Sequence, residues 1–171
     1  MRLLITLLFF GLSFQLSAQD NSSMDSTTLA KAGHTIPDFS FEIEKGKTVQ
    51  IKDYRGKVLV INFFATWCGP CRTELPVLHK QVWEKYKDNK DFALFIFGRE
   101  EGWDKIDPFK SSNNFTFPML PDEERKIYSL FATQFIPRTL IIDKDGKIVY
   151  HSIGYNPEEF KKFEEKLASL L

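Results

Sequence analysis

The chain has 171 residues, enough for one domain with a substantial core. Hydrophobic residues make up 43% and charged residues 27%, the balance of an ordinary water-soluble globular protein. Lysine plus arginine equal aspartate plus glutamate at 23 each, so the net charge gives no basis for binding nucleic acid or an anionic membrane surface.

Residues 1–18 predict a secretory signal. Arg2 supplies a short positive start, Leu3 to Leu16 is almost unbroken apolar sequence, and Leu16-Ser17-Ala18 offers a cleavage site after Ala18. The apolar run is short for a membrane-spanning helix, which needs roughly 20 residues, so no permanent anchor is expected. Gln19 stands where a lipoprotein signal needs its cysteine, which excludes lipidation. Cleavage removes Arg2 as the sole charged residue and leaves the mature chain one charge negative. Residues 19–33 are polar and aperiodic, which predicts a flexible leader, with the folded domain spanning 34–171.

From Ile36 the pattern tightens. Phe39, Phe41 and Ile43 alternate with polar residues as in a half-buried strand, Gly46 marks a turn, and Val49-Gln50-Ile51 forms a short partner strand. Residues 57–64 are a continuous β-branched and aromatic run, the mark of a strand covered on both faces. Pro70 then suits the start of a helix carrying Leu75, Leu78, Val82 and Tyr86 at helical spacing. A second buried strand is expected at 92–97, a short helix at 102–112, an extended piece at 115–120 and a helix over about 122–131. Residues 139–143 and 148–150 read as a hairpin around Asp145-Gly146. Asn156-Pro157-Glu158-Glu159 opens a last helix with a polar cap, proline at its first position and acids in its first turn. Strands alternating with helices predict an α/β fold, a mainly parallel central sheet with an antiparallel edge and helices on both faces. The 17 phenylalanines are expected to fill its core.

The chemistry points to Trp67-Cys68-Gly69-Pro70-Cys71, between a buried strand and a helix. Cys68 falls at the helix N-terminus, where unpaired N–H groups and the helix dipole favour a thiolate and make it the nucleophile. Cys71, one turn later, is placed to close a small disulfide and to resolve a mixed one. Gly69 lets a partner chain approach, Pro70 fixes φ without losing a hydrogen bond, and Trp67 shapes a docking surface. A three-residue spacing closes too small a loop for a stabilising staple. Zinc would need further ligands, and His34, His79 and His151 have no ligand spacing, so no metal is expected. A CxxC beside a βαβ pattern is a redox signature.

Residues 63–71, Phe-Phe-Ala-Thr-Trp-Cys-Gly-Pro-Cys, resemble the thioredoxin active-site run. Arg72-Thr73-Glu74-Leu75-Pro76 is similar to the exported TlpA/ResA/DsbE branch of that superfamily. The resemblance covers about residues 34–170. It implies a thioredoxin-like fold, a central mixed sheet flanked by helices, with N-terminal strands over 36–51 and a central helical insertion over 100–120. It implies a cis-proline opposite the cysteines, matched by Pro137, which leaves the Ile136 backbone free to pair with an extended peptide. It places Glu74 near the disulfide as a tuner of proton transfer. Thioredoxins proper carry a buried acid in the strand before the site. Asn62 stands there instead, which strengthens the case for Glu74.

The resemblance implies an exported or periplasmic protein-disulfide reductase without a cofactor beyond its redox-active disulfide. Its partners are disulfide-containing exported proteins and a membrane or thioredoxin-like electron donor, with apocytochrome c maturation one candidate pathway. A monomer is expected. A net oxidant or isomerase, a thiol peroxidase and a non-catalytic binding module stand as alternatives. The Arg99-Glu100-Glu101 cluster reads as a solvated loop.

Overall fold

The computed structural model describes residues 26–171. The expected signal at 1–18 and the first part of the leader lie outside the described residues. The central sheet has five strands, β3 (Val58–Phe64), β4 (Phe92–Arg99), β5 (Met119–Asp122), β6 (Arg138–Ile142) and β7 (Ile148–Ile153), in the order β5-β4-β3-β6-β7. β3, β4 and β5 run parallel, and β6 and β7 add antiparallel neighbours on the other side of β3. A separate hairpin joins β1 (Ser40–Glu44) to β2 (Lys47–Gln50).

Every residue of β3 is buried, as its unbroken apolar run predicts. Successive side chains leave a strand on opposite faces. Val58, Val60 and Phe64 therefore join one core with Leu94, Ile96 and Ile141, while Leu59, Ile61 and Phe63 join another with Phe95, Phe97 and Leu140. The first core is closed by the helices α1 (Gly69–Leu78), α2 (Trp103–Ser112) and α4 (Pro157–Ala168), through Leu75, Ile106, Phe160 and Phe163. The second is closed by the β1–β2 hairpin through Phe41, by Ile51, and by the one-turn helix α3 (Tyr128–Phe131). Phenylalanine dominates both: Phe97 meets Phe39, Phe41 and Phe63 at centroid distances of 5.9, 5.4 and 5.8 Å. α1 does not end at Leu78 but runs on through a π-helical turn (His79–Trp83) into one more α turn (Glu84–Tyr86).

Three expectations shift. The helix expected over 122–131 is confined to Tyr128–Phe131, because Asp122 belongs to β5 and its carboxylate accepts the Ile127 and Tyr128 N–H groups at 2.9 and 2.7 Å. The extended piece expected at 115–120 becomes a regular strand only from Met119. Phe115 and Phe117 are buried in the loop before it. The leader expected over 19–33 is, from residue 26 on, part of the packed body. The Leu29 and Ala30 N–H groups both donate to Phe131 O, Gly33 N–H donates to Ile148 O, and Thr28 and Ala30 are buried. The boundary expected at residue 34 is thus too late by several residues. Among the described residues no helix is long and apolar enough to cross a membrane.

Candidate active site

β3 ends at Phe64, a short turn follows, and α1 begins at Gly69 with Cys68 as its N-cap. Ligands of α/β sheets gather beyond the carboxyl ends of parallel strands, and this turn stands at such an end. The Cys68 N–H donates to Ala65 O, and Cys68 Sγ accepts the Cys71 N–H at 3.3 Å, one of the N–H groups a helix start leaves unpaired. Pro70 falls in the first turn, where the missing N–H costs nothing. Cys68 and Cys71 are joined in a disulfide with their Cα atoms 5.3 Å apart. Cys68 is 4% exposed and Cys71 fully buried, so a partner can approach Cys68 alone.

Opposite the pair, the Ile136–Pro137 bond is cis, and the Ile136 carbonyl oxygen lies 3.8 Å from Cys68 Sγ. Proline has no N–H to present to the sulfurs. A groove of about 470 Å³ opens between the two segments. Trp67, Cys68, Gly69 and Pro70 form one wall, and Gln134, Phe135 and Ile136 another. Trp67 is 66% exposed and Phe135 44%, and both of these uncovered aromatic rings line the groove. The fold thereby brings together Trp67, Cys68, Gly69, Pro70, Cys71, Ile136 and Pro137.

Glu74 lies behind this groove, one helical turn beyond Cys71, and is 2% exposed rather than solvated. Asn62 Nδ2 donates to its Oε2 at 2.8 Å and Thr139 Oγ1 donates to its Oε1 at 2.9 Å. Asn62 Nδ2 also donates to Thr139 Oγ1 at 2.8 Å, which closes a three-membered polar network. Asn62 and Thr139 face each other across the β3–β6 ladder, on the face covered by α1. Burial pushes the Glu74 carboxyl up from 4.5 to about 7, against the smaller lowering by its Thr139 and Asn62 hydrogen bonds. A carboxyl poised there can exchange a proton near neutral pH.

The sequence model of the Redoxin family matches residues 31–167. The chain belongs to the Redoxin family. The thiol–disulfide oxidoreductase ResA of Bacillus thuringiensis is 32% identical over 127 residues, which span 74% of this chain and 72% of that protein. ResA of Bacillus subtilis is 32% identical over 119 residues, spanning 68% and 64%. Among solved structures, one from Bacteroides thetaiotaomicron, provisionally assigned as a protein disulfide isomerase, is 37% identical with a TM-score of 0.81. The match covers 85% of this chain and 92% of that one. A second, from Chlorobium tepidum, provisionally assigned as the thiol:disulfide interchange protein DsbE, is 26% identical with a TM-score of 0.73, covering 82% and 98%. This Redoxin is a thiol–disulfide oxidoreductase of the ResA/DsbE type, and its CxxC is the Cys68–Cys71 pair.

The Redoxin site contains two residues that the charge pattern concealed. Glu101 is 1% exposed, and its carboxylate accepts the Thr66 N–H at 2.9 and 3.1 Å and the Thr66 hydroxyl at 2.6 Å. It clamps the turn that carries Trp67 and Cys68. Arg99, at the end of β4, lies 5.8 Å from the Trp67 ring centroid and 5.3 Å from that of Tyr128, and lines the groove. The cluster 99–101 is therefore built into the site and is not a solvated loop. The signal that could have found it is its position just after the buried strand parallel to β3. Among the described residues no group of three or more His, Cys, Asp or Glu side chains is arranged to hold a metal ion.

Proposed function

We propose that this Redoxin is an exported reductase of disulfides in client proteins, with Cys68 as the attacking thiol. The observation that carries this reading is the asymmetry of the pair, Cys68 at the groove and Cys71 sealed behind it. In the reduced protein the Cys68 thiolate attacks one sulfur of a client disulfide. The client S–S bond breaks, a Cys68–client bond forms, and the second client sulfur leaves as a thiolate that takes up a proton. Cys71 loses its proton and attacks Cys68 Sγ, which breaks the mixed disulfide and closes Cys68–Cys71. Two electrons have then passed to the client. Glu74 is the group we assign to accept the Cys71 proton, because its carboxyl titrates near neutrality one turn away. Trp67, Phe135 and the Ile136 backbone hold the client chain extended.

The apolar start at 1–18 supports export, and a periplasm-like compartment supplies disulfides as substrates. A membrane or thioredoxin-like donor would return the two electrons. Apocytochrome c is one client of suitable chemistry. The Gly69-Pro70 pair resembles that of thioredoxin, a reducing couple near about −270 mV, which favours net reduction. The relative assigned as an isomerase keeps disulfide rearrangement as the second reading.

Variants of the two cysteines test the chemistry. With a model protein disulfide, Cys68→Ser is expected to lower turnover by roughly 10³-fold or more. Cys71→Ser is expected to accumulate a client adduct, visible by mass spectrometry and lost on adding dithiothreitol. Full turnover by Cys68→Ser would overturn Cys68 as the attacking thiol, and no turnover by the unsubstituted protein would leave the fold as a binding module.

A further inference from the structure

The groove has a charge that the thiol chemistry does not use. Arg99 and Arg125 both line it, and among the described residues no carboxylate does. The Arg99 side chain is only 13% exposed, yet its single ionic contact among the described residues is Nε to Glu100 at 3.4 Å. Its Nη1 and Nη2 atoms have no hydrogen-bond acceptor among the described residues, while its carbon plane is held against the Trp67 and Tyr128 rings. Arg125 stacks on the other guanidinium's neighbour, 5.0 Å from the Tyr128 centroid. It donates from Nη2 to Thr133 O and reaches the same Glu100 carboxylate at 3.5 Å.

The nearby acids are otherwise engaged. Asp122 faces Arg99 across the β4–β5 ladder but spends both oxygens on the N–H groups of Ile127 and Tyr128. Glu101 spends its oxygens on Thr66. Both acids keep their negative charge, but neither comes within ion-pair distance of a guanidinium; among the described residues half-exposed Glu100 alone does, shared by the two, so the face turned to the groove presents two arginines and no carboxylate. A planar guanidinium with two free nitrogens, fixed between aromatic rings, matches a carboxylate in bidentate fashion.

We propose that Arg99, supported by Arg125, selects clients whose reacting cysteine has an aspartate or glutamate one or two residues away. The proposal rests on the reading above that Cys68 attacks client disulfides in this groove. The client lies extended along Phe135–Ile136, its sulfur at Cys68, and its acidic side chain reaches past the Trp67 ring to the Arg99 Nη atoms. Strand residues advance about 3.3 Å each, so the Trp67 width is spanned within two residues.

The test uses the reduced full-length mature protein and two short peptides with blocked termini, with a third, lysine-flanked peptide for the charge-reversed variant. Each carries one cysteine as a neutral 2-pyridyl disulfide, flanked by glutamates in one peptide and glutamines in the other. Attack on the peptide sulfur releases thiopyridone, which is followed by its absorbance in single-turnover mixing. The expected result is a rate roughly tenfold higher for the glutamate peptide at low salt. That ratio should shrink in 1 M salt, where the screening length is about 3 Å. In Arg99→Gln the ratio should fall to about one, and in Arg99→Glu a lysine-flanked peptide should become the faster substrate. A within-variant ratio is insensitive to partial loss of folded protein, and the reversal in Arg99→Glu cannot arise from misfolding. Equal release from both peptides by the wild type, or a preference that survives in an Arg99→Gln, Arg125→Gln double variant, overturns the arginine selection alone. No release from either peptide overturns the client-reductase reading with it.

Discussion

Glu74 is where the sequence and the fold meet most consequentially. An acid on a helix three residues after a cysteine is ordinary. Its character comes from Asn62, twelve residues earlier, and Thr139, sixty-five later, which meet it only once β3 and β6 pair beneath α1. Its folded value of about 7 stands above the ordinary 4.5. Between those two pH values the folded chain retains a proton that the unfolded chain has released. Stability from this group is therefore full below about pH 4.5 and is lost as the pH rises to about 7, by about 3 kcal/mol in all. Glu74→Gln is expected to remove that slope, measured as urea stability at pH 4.5 and pH 7.5. The same variant should lose the inflection near pH 7 in the rate at which Cys71 resolves a mixed disulfide. An inflection that persists in Glu74→Gln would assign the proton to another group. The two cysteines, by contrast, were legible outright, because the CxxC spacing, the preceding buried strand and Pro70 are all local. Pro137 and Ile136 were legible through resemblance, since nothing near them in sequence points across the fold to Cys68.

At the scale of elements, the buried strands and long helices follow their local patterns closely. β3 and β4 announce themselves by continuous apolar runs, and α4 by its cap: Asn156 Oδ1 accepts the Glu158 and Glu159 N–H groups at 2.9 and 3.0 Å. The elements that depart are those governed by distant side chains. Asp122 delays α3 by reaching forward to cap it, and Glu101 turns a charged run into a buried clamp on the segment before Cys68. Glu100, with φ of +63°, makes the tight reversal that swings Glu101 inward, a conformation that sequence pattern does not signal for a glutamate. Glu101→Ala leaves the Thr66 N–H and hydroxyl without their acceptor. It is expected to cost about 2 kcal/mol of stability in denaturant titration and to change the Cys68–Cys71 reduction potential, which a purely distant structural loss would not do. Glu101→Gln, which keeps one acceptor, should recover part of both.

For the whole molecule, the α/β architecture was legible because each layer obeys its own period, and phenylalanine fills both cores. The true extent of the domain was not, because residues 26–33 have no apolar period: Ala30 enters the second core, and the segment otherwise docks through hydrogen bonds. Their anchor is Arg138, 1% exposed at the start of β6, which donates to Thr28 Oγ1 at 2.9 Å and Thr27 Oγ1 at 2.5 Å. A chain shortened to begin at residue 34 removes these two acceptors from a buried guanidinium, which keeps Gln134 O and Phe135 O. It is expected to be about 3 kcal/mol less stable than one beginning at residue 19, by urea titration. Equal stability would make the segment's docking energetically idle. The segment also hydrogen-bonds Phe131 and Thr133, and Thr133 lines the groove, so the shortened chain should bind clients less well.

Net reduction of client disulfides is tested most directly by the reduction potential of the Cys68–Cys71 couple in the mature protein. It is measured by equilibration in dithiothreitol and glutathione buffers, with trapped thiols counted by mass spectrometry. The expected value lies near thioredoxin's, about −270 mV. A value near about −120 mV, that of the oxidant DsbA, would contradict it and make the protein a donor of disulfides.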